Sequence, residues 1–149
     1  MAAAESLAQK WNRTSWADRA LLAETMIVLA LASAAITVLP FRKIGALASR
    51  ASKERKFSDA ERSKMVWRVR WAVQVCAARV PWRAVCFQQG LAAQWMLRRR
   101  GIASRMYYGA KPDAEKGLAA HVWVRDGELD VIGCDIAKDF AVLTTFPAS

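Results

Sequence analysis

The stretch "RAVCFQQGLAAQWMLRRRGIASRMYYG" covers residues 83–109 and contains the change from helix to strand that decides the fold. Its arginine triplet suits the negative end of a helix dipole, and Gly101 suits the left-handed position that follows a helix. After that glycine, residues 104–111 are rich in strand-forming side chains. The helix has one face of small or apolar residues, which recur at steps of four, three and four: Cys86, Gly90, Ala93 and Leu97.

Two further helices are predicted upstream of this stretch. Ser15 with Asp18 three residues later is a helix-start pattern, and it opens a long helix that Pro40 ends. The sequence "SDAE" is a second such start, and it opens a helix over residues 59–79. Between these helices, residues 42–56 are basic and predict a solvated connector or a short basic helix.

The downstream third of the chain predicts antiparallel strands. Residues 120–133 alternate in polarity around Asp126-Gly127, which is the strongest short hairpin signal in the chain. Residues 139–146 predict one more strand, and residues 111–117 predict a loop.

The length and composition fit a folded domain. The chain has 149 residues, and 54% of them are apolar, so it can bury a core. Helices followed by antiparallel strands indicate an α+β fold. We predict a single domain over residues 1–149, with its helical part over about residues 15–100 and its sheet over about residues 104–147.

The charge of the chain is strongly positive. Lys and Arg number 23 against 13 Asp and Glu, which gives a net charge of +10. Such a surface favours an anionic partner, and charge alone does not choose among nucleic acid, an acidic peptide and an anionic membrane. The uncharged segment of residues 26–41 is shorter than the roughly 20 residues of a spanning helix. It predicts a buried helix, with peripheral membrane contact left open.

The three cysteines do not form a disulfide or zinc pattern. Their number is odd, no CxxC pair occurs, and their spacings fit no zinc module. We therefore predict a reducing compartment, the cytoplasm, and we expect no metal and no cofactor.

Cys86 is the candidate nucleophile because it falls in the first turn of its helix. The unpaired N–H groups there, with the positive end of the dipole, favour a thiolate and can hold an oxyanion. Cys76 lies on an apolar stripe and predicts a core residue, and Cys134 follows Gly133 at a strand end. The alternative for Cys86 is that it fills the core as a small apolar residue.

His121 is the only histidine, so any histidine-dependent chemistry has one candidate. On the strand "HVWV" its side chain is expected to share a face with Trp123 and Arg125, while Val122 and Val124 point the other way.

Two acids are candidates to orient His121. If an Asp-Gly pair forms a two-residue turn, Asp130 lies opposite Trp123, on the face of His121 but one pair away. A longer turn or a bulge would bring Asp135 level with the start of the strand. Antiparallel geometry favours Asp135, and the alternative is that one or both acids are solvated.

These residues carry a resemblance to a known family. The stretch from residue 83 to residue 109, followed by "HVWV" and a turn, resembles the core of transglutaminase-like cysteine enzymes. More narrowly, the chain resembles the leader-peptidase B proteins of lasso-peptide biosynthesis. "ALLAETMIVLALASAAITVLPFRKI" is similar to the N-terminal helix of that family, and "DGELDVIGCDIAKDFAVLTTFP" to its C-terminal tail. The similarity covers roughly residues 21–147.

The resemblance implies a transglutaminase-like core and a cysteine peptidase that removes the leader from a ribosomally made precursor peptide. It implies two partners besides the precursor, a separate leader-binding recognition protein and an ATP-dependent lasso cyclase, and no nucleic acid. It makes Cys86 the nucleophile, His121 the base and Asp135 the orienting acid. Gly133 and Cys134 stand where many relatives carry two glycines, which leaves the register of the acid open.

Two other functions stay open from the residues. The same three groups could transfer an acyl group to an amine or deamidate a substrate instead of hydrolysing a peptide. Alternatively, the chain could be a basic, non-catalytic binding module for an acidic peptide, nucleic acid or membrane, in which Cys86 is merely packed.

Overall fold

The structure is a computed structural model of the chain, and it describes residues 6–51 and 53–147. Residues 1–5, 52, 148 and 149 of the domain predicted over residues 1–149 therefore lie outside the described residues. Within the described ranges the helices come first along the chain and the strands follow, and the predicted α+β fold is confirmed.

Serine side chains begin three of the five α-helices in the described part of the chain. Ser6, Ser15 and Ser58 each accept a hydrogen bond from a backbone N–H in the first turn. The reciprocal bond of a capping box forms at Ser58 with Glu61, as predicted. The helices are α1 Leu7–Arg13, α2 Trp16–Val38, α3 Phe41–Ala48, α4 Asp59–Ala77 and α5 Cys86–Arg99.

The connector predicted over residues 42–56 begins as a short helix. Helix α2 ends at Val38, and Pro40 prevents its continuation. Pro40 is also the N-cap of α3, whose Ile44 and Ala48 are buried. The remaining basic residues of the segment run without regular secondary structure and are mostly exposed. Both alternatives for this segment are thus realised, one after the other.

Four antiparallel strands form one sheet in the order β3-β2-β1-β4. A short 3-10 helix, Cys134–Asp139, carries the chain from the β3 edge of the sheet to the β4 edge. The strands are β1 Arg105–Asp113, β2 Gly117–Asp126, β3 Leu129–Ile132 and β4 Ala141–Phe146.

Two details of the sheet correct the sequence prediction. The segment predicted as a loop over residues 111–117 is mostly strand, because β1 and β2 pair as far as Asp113 and Gly117. The second hairpin turns at Gly127-Glu128, one residue later than predicted, since Asp126 pairs with Leu129. Gly127 supplies the positive φ of 57° that this turn requires.

The core lies between the sheet and the helices α2, α4 and α5. Helix α5 crosses one face of the sheet so closely that a Cβ at Gly90 would lie 2.8 Å from Cγ1 of Val122. Farther along α5, the buried Gln94 donates its side-chain N–H to the carbonyl of Phe146 at 2.9 Å. These contacts fix both the height and the direction of α5 over the sheet.

An ion pair between a half-buried arginine and a buried aspartate ties α4 to the sheet. The guanidinium of Arg62 donates two hydrogen bonds, of 2.6 and 2.7 Å, to the carboxylate of Asp126 at the end of β2. The Asp126 side chain is only 4% exposed, and the hydrogen bond to it raises the pKa of Arg62. This bidentate pairing sets the position of the β2–β3 hairpin against α4.

We expect Arg62→Met to lower the free energy of unfolding by about 3 kcal/mol, because it leaves a buried carboxylate without its partner. Urea unfolding followed by circular dichroism measures this. Arg68→Met is the matched control, since Arg68 and Asp18 form an exposed pair and should contribute less than about 1 kcal/mol. Equal losses in the two variants would contradict a special role for the Arg62 pair.

Candidate active site

Cys86 is the first residue of α5 and is half-buried. The helix has no side-chain cap, because its N-cap is Val85, whereas α1, α2 and α4 each begin with a serine cap. The first bond of the helix ladder runs from the N–H of Gln89 to the carbonyl of Val85. The N–H groups of Cys86, Phe87 and Gln88 therefore point out of an uncapped helix start, which is the position predicted for Cys86.

His121 lies on β2 and is buried, with 8% of its surface exposed. Its ring contacts the rings of Trp123 and Phe140, at centroid distances of 5.9 and 5.1 Å. Trp123 in turn stacks on Tyr107 of β1 at 5.5 Å. His121 thus shares the face of Trp123, as the strand pattern predicts.

A backbone carbonyl orients the His121 ring. The Nε2 atom lies 2.7 Å from the carbonyl oxygen of Gly133, which can only accept a hydrogen bond. Nε2 therefore carries the proton, and Nδ1 is the nitrogen left to act as a base. Gly133 has a φ of 72°, and a Cβ there would lie 2.7 Å from the carbonyl oxygen of Val122. Only glycine allows this close approach.

The two candidate acids lie elsewhere. Asp130 lies opposite Arg125 in the ladder between β2 and β3. Its carboxylate also pairs with the Arg125 guanidinium at 3.1 Å. Asp135 is an exposed residue of the 3-10 helix. Among the described residues neither carboxylate hydrogen bonds to His121, so an orienting role for Asp135 stays a prediction. Asp130 sits opposite Arg125 rather than Trp123 because the turn lies one residue later, which moves each pairing by two residues.

Cys86 and His121 lie on different sides of the sheet. The side chains of Val122 and Val124 face α5, as the near contacts of Gly90 show. Alternation along β2 then directs His121 to the opposite face, where Phe140 covers it. Within the part of the chain that the structure describes, no hydrogen bond joins Cys86 to His121. The structure therefore gives each group a suitable local setting without bringing the two together.

The other two cysteines are held within the fold. Cys76 is buried on α4, as predicted, and its Sγ lies 3.6 Å from the carbonyl oxygen of Leu22. Cys134 donates to the carbonyl of Val124 at 3.2 Å. Burial raises the pKa of both thiols, so both favour the unreactive protonated form.

The groove beside Trp123 is the cavity on the His121 face. It measures about 430 Å³ and is lined by aromatic, cationic and thiol groups, among them Tyr107, Arg125 and Lys138. In the described ranges no three His, Cys, Asp or Glu side chains are grouped as metal ligands would be.

Comparison with known proteins gives one match. A family model described as "Transglutaminase-like superfamily" matches residues 25–145, which include Cys86, His121 and Asp135. No curated protein and no solved structure gives a match. The sequence pattern points to Cys86 and His121 as candidates but does not indicate the carbonyl of Gly133, which holds the imidazole ring. The left-handed glycine before Cys134 is the signal that could have indicated it.

The Gly133 contact predicts the tautomer of His121. Long-range ¹H–¹⁵N correlation spectra of the neutral form should show Nε2 protonated and Nδ1 bare, and the single histidine makes the assignment unambiguous. Gly133→Ala should weaken this preference, because a Cβ would push the carbonyl away from the ring. Gly117→Ala is the control, since Gly117 also has a positive φ but an added Cβ would meet nothing there. A neutral ring protonated at Nδ1 would contradict the assignment.

Proposed function

The chain belongs to the transglutaminase-like superfamily, and on this basis we propose that it is a cysteine hydrolase in which Cys86 attacks a peptide carbonyl. Members of this superfamily are generally cysteine proteases or acyltransferases. The observation that carries the proposal is the position of Cys86 at the uncapped start of α5, since Cys76 and Cys134 are both held by neighbouring carbonyls.

In the proposed reaction the Cys86 thiolate attacks the carbonyl carbon, and the N–H groups of the first turn of α5 bind the resulting oxyanion. His121 in its protonated form gives a proton to the leaving amine, and the C–N bond breaks to leave a thioester. The neutral imidazole then takes a proton from water, whose oxygen attacks the thioester. The C–S bond breaks, and the imidazolium returns the proton to the Cys86 sulfur. The products are a carboxylic acid and the free thiol.

This reaction requires His121 to reach the α5 side of the sheet. A one-residue bulge in β2 at His121 and Val122 would place both of these side chains on the α5 face. Residues 117–120 at the start of β2 are mostly exposed, so a change in their pairing exposes little apolar surface. The proposal thus includes a conformational change in which the β1–β2 hairpin shifts when a substrate or partner binds.

The finer proposal is that the substrate is the leader of a ribosomally made precursor peptide. It rests on the resemblance to the lasso-peptide B proteins. A separate leader-binding protein would deliver the precursor, and an ATP-dependent lasso cyclase would use the freed N-terminus, all in the cytoplasm. The exposed basic residues of the 42–56 segment offer charge complementarity to an acidic leader. In this proposal Asp135 orients His121 only after the hairpin has shifted.

A second candidate function follows from the separation of Cys86 and His121. A basic binding module needs no contact between them, and the net charge of +10 supports an anionic partner. An acyltransferase differs from the hydrolase only in the nucleophile that resolves the thioester, so an amine acceptor added to the reaction would distinguish these two enzymes by product mass.

Alkylation by iodoacetamide tests whether Cys86 is activated. We expect Cys86 to react first near neutral pH, ahead of the buried Cys76 and the half-buried Cys134, as read by peptide mass. With the precursor and its leader-binding protein present, which is when the hairpin is proposed to shift, His121→Ala should slow the reaction of Cys86. The rates measured in urea provide the reference for each cysteine. Equal rates for Cys86 in the two proteins would favour the binding module.

Cleavage of precursor peptides tests the function itself. With the precursor and its leader-binding protein present, the wild-type chain should release the leader, as read by mass. Cys86→Ala should give no turnover, and His121→Ala should lose about 100- to 10,000-fold. Cys134→Ala is the control and should cleave normally. Retained cleavage by Cys86→Ala, with wild-type thermal stability, would overturn the assignment of the nucleophile.

A further inference from the structure

Helix α2 has a long apolar face that none of the described helices or strands covers. The opposite side of the helix is in the core, through residues such as Leu21, Leu29 and Ala32. The positions between the large side chains of the uncovered face are mostly alanines. This outer face of α2 is defined by its exposed large apolar residues: Trp16, Met26, Ile27, Leu31 and Val38.

The exposure of this face is high and continuous. Ile27, Leu31 and Val38 are 61%, 56% and 77% exposed, and Trp16 at the start of the helix is 82% exposed. The helix has 23 residues, which at 1.5 Å per residue makes the face about 35 Å long. Monomeric soluble proteins rarely leave so large an apolar surface bare, so this face is expected to have a partner.

Arginines border the face on both long sides. On one side, Leu31 joins Arg50, Arg99 and Trp95 in a groove of about 610 Å³, where Arg99 is paired with Glu24 at 3.4 Å and Arg50 supplies the further positive charge. On the other side, Trp82 donates to the hydroxyl of Ser33 at 2.9 Å. That tryptophan is flanked in the chain by exposed arginines, Arg79 and Arg83. The face is therefore an apolar strip within a cationic rim.

Cationic side chains also lie at both ends of α2. At the N-terminal end the guanidinium of Arg19 lies over the rings of Trp11 and Trp16, 5.3 Å from each centroid. At the C-terminal end, exposed Arg42 and Lys43 follow the helix directly. Tryptophan and cationic side chains at the margins of an apolar helix face are typical of helices that lie in a membrane interface.

We propose that the outer face of α2 docks the protein on an anionic membrane surface, with α2 parallel to the bilayer. The face enters the boundary between headgroups and acyl chains, and the arginine rim contacts anionic headgroups. By length and composition α2 could also cross a bilayer. Its inner side, however, packs against α4 and α5, so a folded domain presents only the outer face to lipid.

The charge and shape of the face favour a membrane over a protein partner. Two copies of this chain meeting through α2 would bring two cationic rims together, which like-charge repulsion opposes. The grooves beside Leu31 and Met26 lie at the margins of the face, and the positions between its large side chains are mostly alanines, which offer little to the large anchoring side chains of stable protein interfaces. A bilayer needs no anchoring side chain, because its surface adapts to the helix.

Sedimentation with vesicles tests the proposal on the full chain. Vesicles of phosphatidylglycerol and phosphatidylcholine should bind the protein, and vesicles of phosphatidylcholine alone should bind it at least about tenfold more weakly. Raising the salt concentration should weaken binding to the anionic vesicles. Equal binding to both vesicle types, or binding to neither, would overturn the proposal.

Surface variants separate the apolar strip from general electrostatic adsorption. Ile27→Asn combined with Leu31→Asn should lower the partition onto anionic vesicles about tenfold. Leu118→Asn combined with Leu143→Asn is the matched control, because those residues are 66% and 62% exposed but lie on the sheet. Circular dichroism and melting temperature verify that both double variants are folded. Equal loss in both, or no loss in either, would contradict docking through α2.

Two further measurements test the arginine rim and the alternative that a second copy of the chain covers the outer face of α2. Arg50→Gln combined with Arg83→Gln should weaken vesicle binding while leaving the fold unchanged, as expected for rim contacts. Light scattering after size-exclusion chromatography reports the oligomeric state without lipid. A dimer that Ile27→Asn and Leu31→Asn dissociate, together with no vesicle binding, would assign the face to a second copy and overturn the proposal. Cleavage of a precursor in solution does not enter any of these tests, so they stand apart from the proposed enzymatic function.

Discussion

The close packing of α5 on the sheet at Gly90 is the contact on which the rest of the structure depends. A Cβ at this position would lie 2.8 Å from Val122, so only glycine lets the helix come this near. The contact fixes Val122 and Val124 as the residues of β2 that face the helix. Because side chains alternate along a strand, the same contact fixes His121 on the other face. One glycine therefore determines both the density of the core and the separation of Cys86 from His121.

The crossover from β3 to β4 covers the His121 side chain on the face of the sheet opposite to α5. β3 and β4 lie at opposite edges, so the chain between them must cross the sheet. It begins at the left-handed Gly133, whose carbonyl holds the His121 ring, and it ends at Phe140, which packs on that ring. The His121 ring is buried by the crossover and fixed by a carbonyl, as the ring of a catalytic base would be. It lies, however, on the face of the sheet opposite to α5. The crossover and the β1–β2 hairpin both hold the His121 ring. The hairpin shift in the proposed function would therefore also require the crossover to move.

The sequence predicted the parts of the fold that local rules determine. Serine caps, apolar periodicity and a proline were enough to predict α2 and α4 and to place Cys86 in the first turn of α5, although that helix begins at Cys86 and not near residues 82–84 as predicted. Alternation was enough to predict the face of His121. The position of the second hairpin turn was wrong by one residue, because the ion pair between Arg62 and Asp126 keeps Asp126 within the strand. That contact joins residues 64 positions apart, and no local pattern contains it. The role of the Gly133 carbonyl depends in the same way on tertiary structure.

The positions of α2 and α5 suggest how the surface and the site are related. Trp82 bonds to Ser33 at the margin of the outer face of α2, and it lies four residues before Cys86. The exposed segment between α4 and α5 therefore connects the cationic rim to the uncapped start of α5. Arg83 lies three residues before Cys86, so the positive charge that would attract an anionic membrane would also attract an acidic substrate of the proposed enzyme. The two proposals together predict competition, because lipid headgroups bound at Arg83 would reduce the attraction that the same side chain offers to an acidic peptide.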